Sequence, residues 1–201
     1  LTDPVCLKNL LNHLKRENIE PEVLINNAGF GLYGETLEQH SAENINLVDL
    51  NVRALTTLTL ALAPSMRAKR KGYILNVASI AAFMPCPYLS VYGASKAYVL
   101  SFSEALHEEL KTEGVHVTAL CPGPVKTNFW NRAGVSECDR FEFAITDARS
   151  VAERGLSALF KNKALATYGI LNKLLTVSSQ LAPKGLTRLI AKEVLRLAVK
   201  K

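Results

Sequence analysis

The sequence predicts an α/β fold in which a parallel sheet is covered on both faces by helices, three layers in all. Three observations carry this reading. Short apolar runs alternate along the chain with longer stretches of helical spacing. The runs are almost continuously apolar, as strands buried on both faces are. Each run also ends in small or polar residues, Asn26-Asn27-Ala28-Gly29, then Ser79, then Pro122-Gly123. In open parallel sheets ligands bind beyond these carboxyl ends.

The elements follow in order. "LTDPVCLKNLLNHLKREN" enters a helix, with Thr2 or Asp3 to cap it and Pro4 in its first turn. "PEVLINNAGFG" (21–31) reads as a buried strand, and a long helix follows over about 41–70 with Ser41 as its cap. "GYILNVASI" (72–80) is a second buried strand. After a loop broken by Pro85 and Pro87, a helix carrying Tyr92 and Lys96 runs to about Glu113, where Gly114 stops it. "VHVTALCPGPV" (115–125) is the third strand. Residues 126–147 are irregular, a helix covers about 148–162, and a short strand lies near 165–170.

The chain has 201 residues, 48% hydrophobic and 21% charged, enough for one domain with a sizeable core. There are no repeats, low-complexity stretches or linkers, so residues 1–201 form a single domain. No uninterrupted apolar run reaches the roughly 18 residues of a membrane span. Cys6, Cys86, Cys121 and Cys138 lie far apart without C-x-x-C pairing, and His13, His40, His107 and His116 are equally scattered. That argues against a metal site and fits a reducing, cytoplasmic setting. His107 and His116 are expected to flank or pack a helix end. The net charge of +6 is concentrated in residues 184–201, which hold six cations and one acid. The rest of the chain is nearly neutral, which leaves no broad nucleic-acid surface.

Tyr92 and Lys96 stand four residues apart, one above the other on a helix. By itself the spacing also fits a solvated helix face. A phenol titrates near pH ~10, and a nearby cation favours the phenolate, which makes tyrosine usable as an acid–base group at neutral pH. Ser79, at the mouth of the neighbouring strand, is placed to hold a substrate oxygen or to cap the next turn. Asn51 lies in a helix where asparagine is unfavourable, either with a role in the site or on an exposed face. The Asn-Asn-Ala-Gly and Pro-Gly segments are turns, or close approaches of backbone to a ligand.

Together, Asn26-Asn27-Ala28-Gly29, Asn51, Ser79, Tyr92-x-x-x-Lys96 and "CPGPVKT" resemble the short-chain dehydrogenase/reductase family, in register over about residues 1–130. The resemblance implies a Rossmann-like doubly wound sheet and a ketone/secondary-alcohol oxidoreductase using NADP or NAD, with NADP favoured by family analogy. It implies Asn51, Ser79, Tyr92 and Lys96 as catalytic residues, with Asn51 binding a proton-relay water. Ser79 and Tyr92 would hold the substrate. Asn27, Ala28 and Gly29 would lie near the adenosine ribose, and Pro122, Gly123, Val125 and Thr127 near the nicotinamide. Lys96 would also bond the nicotinamide ribose. A homodimer or homotetramer through the long helices is implied as well.

The family's glycine-rich phosphate loop has no counterpart among the 11 glycines. Leu1 falls just after the third family strand, so the expectation is that an N-terminal part with the first strands is missing. A catalytically silent relative acting as an interaction module is the competing reading. Phe129, Trp130, Phe141 and Phe143 within 126–147 fit a substrate lid over an apolar substrate, fatty-acyl, steroid or similar, or an ordinary packed loop. In 184–201, Lys184, Arg188, Lys192, Arg196 and Lys200 recur every fourth residue beside Leu186, Leu189, Ile190, Leu195 and Leu197. This is a basic amphipathic helix, suited to an anionic membrane surface or docked on its own domain with its cations in water.

Overall fold

The computed structural model describes residues 1–135 and 146–198. Four strands, β1 (Val23–Asn26), β2 (Gly72–Val77), β3 (Val115–Cys121) and β4 (Leu165–Thr167), form one sheet in the order β1-β2-β3-β4. Every pairing is parallel. Parallel neighbours need long crossovers, and helices supply them.

The sheet's period-two alternation sorts its side chains onto two faces. Ile74, Val117, Ala119 and Cys121 meet α3 (Leu55–Ala68) and α4 (Ser90–Leu110) through Leu55, Met66, Val99, Leu100 and Leu110. Leu75, Leu120 and Ala166 meet α6 (Ala148–Phe160) on the other face through Val151, Ala158 and Leu159. The three-layer arrangement therefore holds over β2 to β4. At β1 it does not: Val23 and Ile25 belong to the α6 side by register, yet stand 41% and 48% exposed because no described element covers them. The strand expected to be buried is a half-open edge.

The first helix, α1 (Pro4–Arg16), is capped by Asp3, whose carboxylate accepts from Val5 N at 2.7 Å. It buries Leu7 against Ala54 and Leu58. The predicted helix over 41–70 is continuous from Ser41 to Ala68 but not uniform. After α2 (Ser41–Val48) the winding loosens into a π-helical stretch, Asp49–Ala54, before α3. Its cap is His40 rather than Ser41, with no side-chain hydrogen bond. This 28-residue helix is long and apolar enough by composition to cross a membrane. Its burial of Leu47, Asn51, Leu58, Thr59 and Met66 makes it a sheet-covering helix of the core.

Gly114 ends the α4 region at φ +78°, and an added Cβ there would stand 2.1 Å from the Arg70 carbonyl oxygen. His107 in the last turn of α4 bonds Val117 O at 2.8 Å, and His116 bonds Leu159 O at the end of α6. The segment around 126–135 holds a single helical turn, α5 (Phe129–Arg132). Beyond β4 come α7 (Ile170–Leu181), which the sequence reading does not separate, and α8 (Lys184–Ala198).

Candidate active site

β1 stops at Asn26 because its side chain turns into a buried polar network. Asn26 Nδ2 donates to Asn76 Oδ1 at 2.8 Å and to Thr59 Oγ1 at 3.1 Å, and Asn76 Nδ2 donates to Ser103 Oγ at 2.9 Å. These bonds tie the ends of β1 and β2 to α3 and α4. Buried polar groups must be paired, so the network fixes where the next residues go. Asn27, Ala28 and Gly29 leave β1 exposed, their backbone open at the carboxyl end of the sheet.

Asn51 sits in the π-helical stretch and is 2% exposed, which excludes the solvated-face alternative. Its Oδ1 accepts from Phe30 N at 3.2 Å, and its Nδ2 donates to Phe30 O at 3.0 Å and to Ser95 Oγ at 3.1 Å. Ser95 Oγ in turn donates to Tyr92 O at 2.7 Å. Asn51 thus clamps the loop after β1 onto the helix that carries Tyr92 and Lys96. Gly29 is small because of this clamp: a Cβ there would come 2.9 Å from Asn51 Oδ1 and 3.4 Å from Lys96 Nζ.

Lys96 is 5% exposed, so it too lies on no solvated face. Its Nζ donates to Val77 O at the end of β2 at 2.7 Å and lies 5.8 Å from the centroid of the Tyr92 ring. Ser79 follows β2 directly, where its Oγ caps a short 3₁₀ turn (Ile80–Phe83) by accepting from Ala81 N at 3.1 Å. It also hydrogen-bonds the Tyr92 phenol, so capping the turn does not take Ser79 away from Tyr92. The Ser79 loop is tied to the Pro-Gly loop by Ile80 N donating to Pro122 O at 3.0 Å. Beyond Gly123, Val125 pairs in parallel with Thr146, and Thr127 Oγ1 accepts from Phe129 N at 3.3 Å. Phe129 brings its ring 5.2 Å from that of Tyr92 and stacks edge-on with Trp130. Phe141 and Phe143 lie outside the described residues.

The electrostatics differ from the expectation in one respect. Burial pushes the Tyr92 phenol up to about 12, with the Ser79 hydrogen bond acting in the opposite direction. Burial also brings Lys96 down to about 8. A cation held by Val77 O and itself desolvated does not offset the low-dielectric surroundings of the phenol. In the protein alone Tyr92 is a protonated acid at neutral pH, not a near-phenolate.

The donors and the space of the site decide whether a nicotinamide nucleotide suits it. An ammonium has three N–H groups, and Val77 O takes one of those of Lys96. The remaining N–H groups suit a pair of sugar hydroxyls, and the exposed backbone of 27–29 leaves room for close approach, whereas the space over Gly123 is taken by Asn172. The residues present fit the nucleoside part of such a cofactor. Among the described residues, no three His, Cys, Asp or Glu side chains gather as a metal site.

Sequence reasoning misses the Asn26–Asn76–Ser103 network, the Ser95 link and the approach of α7. Asn172 of α7, 6% exposed, fills the space over Gly123, where an added Cβ would meet its amide at 2.5 Å. The helical spacing of apolar residues from Ile170 to Leu181, bounded by Gly169 and Pro183, is the signal for α7.

Comparison with known proteins shows the family. The short chain dehydrogenase family profile matches residues 1–137. The chain belongs to that family. It is 34% identical over 124 residues to mouse 17-beta-hydroxysteroid dehydrogenase type 3, covering 60% of this chain and 41% of the relative. It is 32% identical over 181 residues to the ketoacyl reductase HetN of Nostoc sp., covering 84% and 60%. The chain thus spans about half the length of the curated relatives it matches. A short-chain dehydrogenase from Sphingobium yanoikuyae, solved in complex with NADPH, superposes with a TM-score of 0.77 at 28% identity, covering 100% of this chain and 74% of that one. The doubly wound α/β class is therefore the observed fold.

Proposed function

We propose that the protein is an NAD(P)-dependent oxidoreductase that interconverts a ketone and a secondary alcohol on an apolar substrate. The observation that carries this reading is the convergence of Ser79, Tyr92 and Lys96 at the carboxyl ends of β2 and β3, beneath a loop clamped by Asn51. The nicotinamide, NADP or NAD, supplies or takes up the hydride when bound. Tyr92 donates its phenolic proton to the carbonyl oxygen during reduction and takes a proton from the alcohol in reverse. Ser79 hydrogen-bonds the same oxygen as charge develops on it. Lys96 holds ribose hydroxyls and sets a positive field beneath the phenol. Asn51 keeps the Gly29–Phe30 loop and α4 in register, and a water bound near it would relay protons toward Lys96. Asn27, Ala28 and Gly29 would border the adenosine side, and Pro122, Gly123, Val125 and Thr127 the nicotinamide side.

An apolar substrate, fatty-acyl, steroid or similar, is supported by the aromatic wall that Phe129 and Trp130 raise beside Tyr92. The relatives named for hydroxysteroid and ketoacyl substrates point the same way. Residues 126–135 contribute to the substrate's cover in this reading, the rest of the expected lid up to 145 lying outside the described residues, and a second copy of the chain packs on the α2/α4 face. The test is consumption of NADPH and NADH by the purified protein with steroid ketones and long-chain 3-oxoacyl thioesters. Turnover by the wild type that falls roughly 10²- to 10⁴-fold in Tyr92→Phe, with cofactor binding retained, is expected on the usual scale of acid–base catalysis. Equal turnover in both proteins refutes the mechanism. No turnover with any ketone, in folded protein that binds cofactor, favours the silent-relative reading.

A further inference from the structure

Helix α7 is amphipathic in the reverse sense. Asn172 and Thr176 are each 6% exposed and, with half-buried Ser179, form the face turned toward the domain. Its outward stripe is Ile170, Leu174, Val177 and Leu181, exposed by 79%, 63%, 54% and 82%. The spacing i, i+4, i+7, i+11 puts all four on one side of the helix. The polar inner face is satisfied locally: Asn172 Nδ2 donates to Tyr168 O at 2.8 Å, and Thr176 and Ser179 donate to Lys173 O and Thr176 O.

Helix α8 also carries exposed apolar residues. A narrow stripe, Thr187 and Ala191 with half-buried Leu195, meets the domain, so the docked alternative for this helix is met in part. Tyr33 donates to Leu195 O at 3.0 Å and pins it there. Leu186, Leu189, Ile190 and Val194, exposed by 51%, 62%, 54% and 46%, face outward. Exposed apolar stripes on two successive helices that also carry cations mark an interaction site.

The charges select the partner. From 170 to 196 the cations are Lys173, Lys184, Arg188, Lys192 and Arg196. The sole acid there, Glu193, is already paired with Arg196 at 2.8 Å. Two copies brought face to face on this surface would set cation against cation. An anionic surface that also accepts apolar side chains satisfies both features at once.

We infer that α7 and α8 together form a docking face for an anionic phospholipid bilayer, with the outward apolar residues in the acyl boundary and the cations at the headgroups. The face lies beside the site: α7 packs on the 3₁₀ turn that follows Ser79, and Asn172 covers Gly123. Docking places the active-site mouth at the lipid surface, where an apolar ketone is dissolved. The inference rests on this surface and not on the proposed reaction.

The test is co-sedimentation of the full chain with phosphatidylcholine vesicles, with and without phosphatidylserine, at low and high salt. The wild type is expected to pellet with phosphatidylserine vesicles and to be released, at least in part, by salt. The variant Leu174→Gln/Leu181→Gln/Leu189→Gln should partition at least tenfold less at low salt. Its thermal unfolding should be unchanged, because all three side chains are exposed. Lys184→Gln/Arg188→Gln/Lys192→Gln should abolish the preference for phosphatidylserine. Absence of pelleting, or pelleting indifferent to both variants, overturns the inference. So does self-association of the wild type that the leucine variant abolishes in the absence of any vesicle binding, which would make this face an interface between copies.

Discussion

Tyr92 is pulled in two directions. Its phenol is desolvated, which favours the neutral form, while the Ser79 hydroxyl favours the charged one, and burial wins. The two reaction directions should therefore respond differently to pH. In the proposed mechanism reduction uses the protonated phenol, which predominates at every pH well below a value near 12. The phenol alone leaves the reduction rate flat through moderate alkalinity, so a fall above about pH 8 would report the loss of the Lys96 charge. Oxidation uses the phenolate, whose fraction grows as pH rises toward that same value, so the logarithm of its rate should climb with a slope of about one per pH unit. Initial rates in both directions over one pH series make the check. An oxidation rate already flat at neutral pH would mean that cationic groups outweigh burial once ligands are bound. Ser79→Ala should lower turnover by roughly 10²-fold, the scale of one lost charge-stabilising donor. Because Ser79 Oγ also caps Ala81 N, thermal unfolding of the Ala variant should be read beside its rate. A rate lost only at temperatures where the variant unfolds would leave Ser79 as a cap alone. These residues were legible in the sequence because each stands at a fixed offset from a strand end or from another site residue. Asn76, Ser95 and Asn172 were not legible. Beside any local bond, each meets a side chain 27 or more positions away or a loop that no local pattern predicts.

At the scale of elements, the sequence showed where helices and strands lie better than it showed their edges. The apolar run of β1 looks like those of β2 and β3, yet Val23 and Ile25 face no described helix, and composition alone does not reveal which strand is the edge. The π-helical stretch was equally hidden, since asparagine in a helix signals discomfort but not the direction in which the backbone yields. Gly114 was legible as a stop, and the structure gives it a second duty. At φ +78° it passes so close to Arg70 that any Cβ would strike the Arg70 backbone, joining the end of α3 to the start of β3. Gly134 has a similar φ of +85°, but a Cβ added there would meet nothing within 4 Å. The pair separates conformational strain from collision. Gly134→Ala should cost about 1 kcal/mol for left-handed backbone alone. Gly114→Ala should cost about 3 kcal/mol because the α3–β2 turn must also move. Denaturant unfolding of both variants measures the difference, and equal losses would show that the turn yields freely.

For the molecule as a whole, the distribution of charge and apolar surface separates two faces. The tail holds most of the net +6, so the face formed by α2, the π-helical stretch and α4 belongs to the nearly neutral remainder. That face carries an apolar groove of about 400 Å³ lined by Val48, Val52, Ser90, Val91, Ala94 and Ser95. Ile45, Leu60 and Tyr98 are exposed around it by 60%, 59% and 40%, with the Tyr98 hydroxyl bonded to Thr56 at 3.0 Å. A second copy related by two-fold symmetry would meet the same groove with its own, an isologous pairing that needs no charge complement. The groove's lining includes Ser95, the residue that links Asn51 to Tyr92, so pairing there would stiffen the helix of Tyr92 from behind. Sedimentation of the protein should give a dimer or a tetramer. Ala94→Glu should convert it to monomer, since a carboxylate buried in an apolar interface without a partner is strongly unfavourable. Ala94 is exposed in the single chain, so the variant should unfold at the wild-type temperature when measured below the association range. If Tyr92 depends on the second copy for its placement, kcat should fall with the dimer while the far-ultraviolet dichroism stays constant. A wild type that sediments as a strict monomer, or an Ala94→Glu protein that remains paired, would remove this face from the assembly.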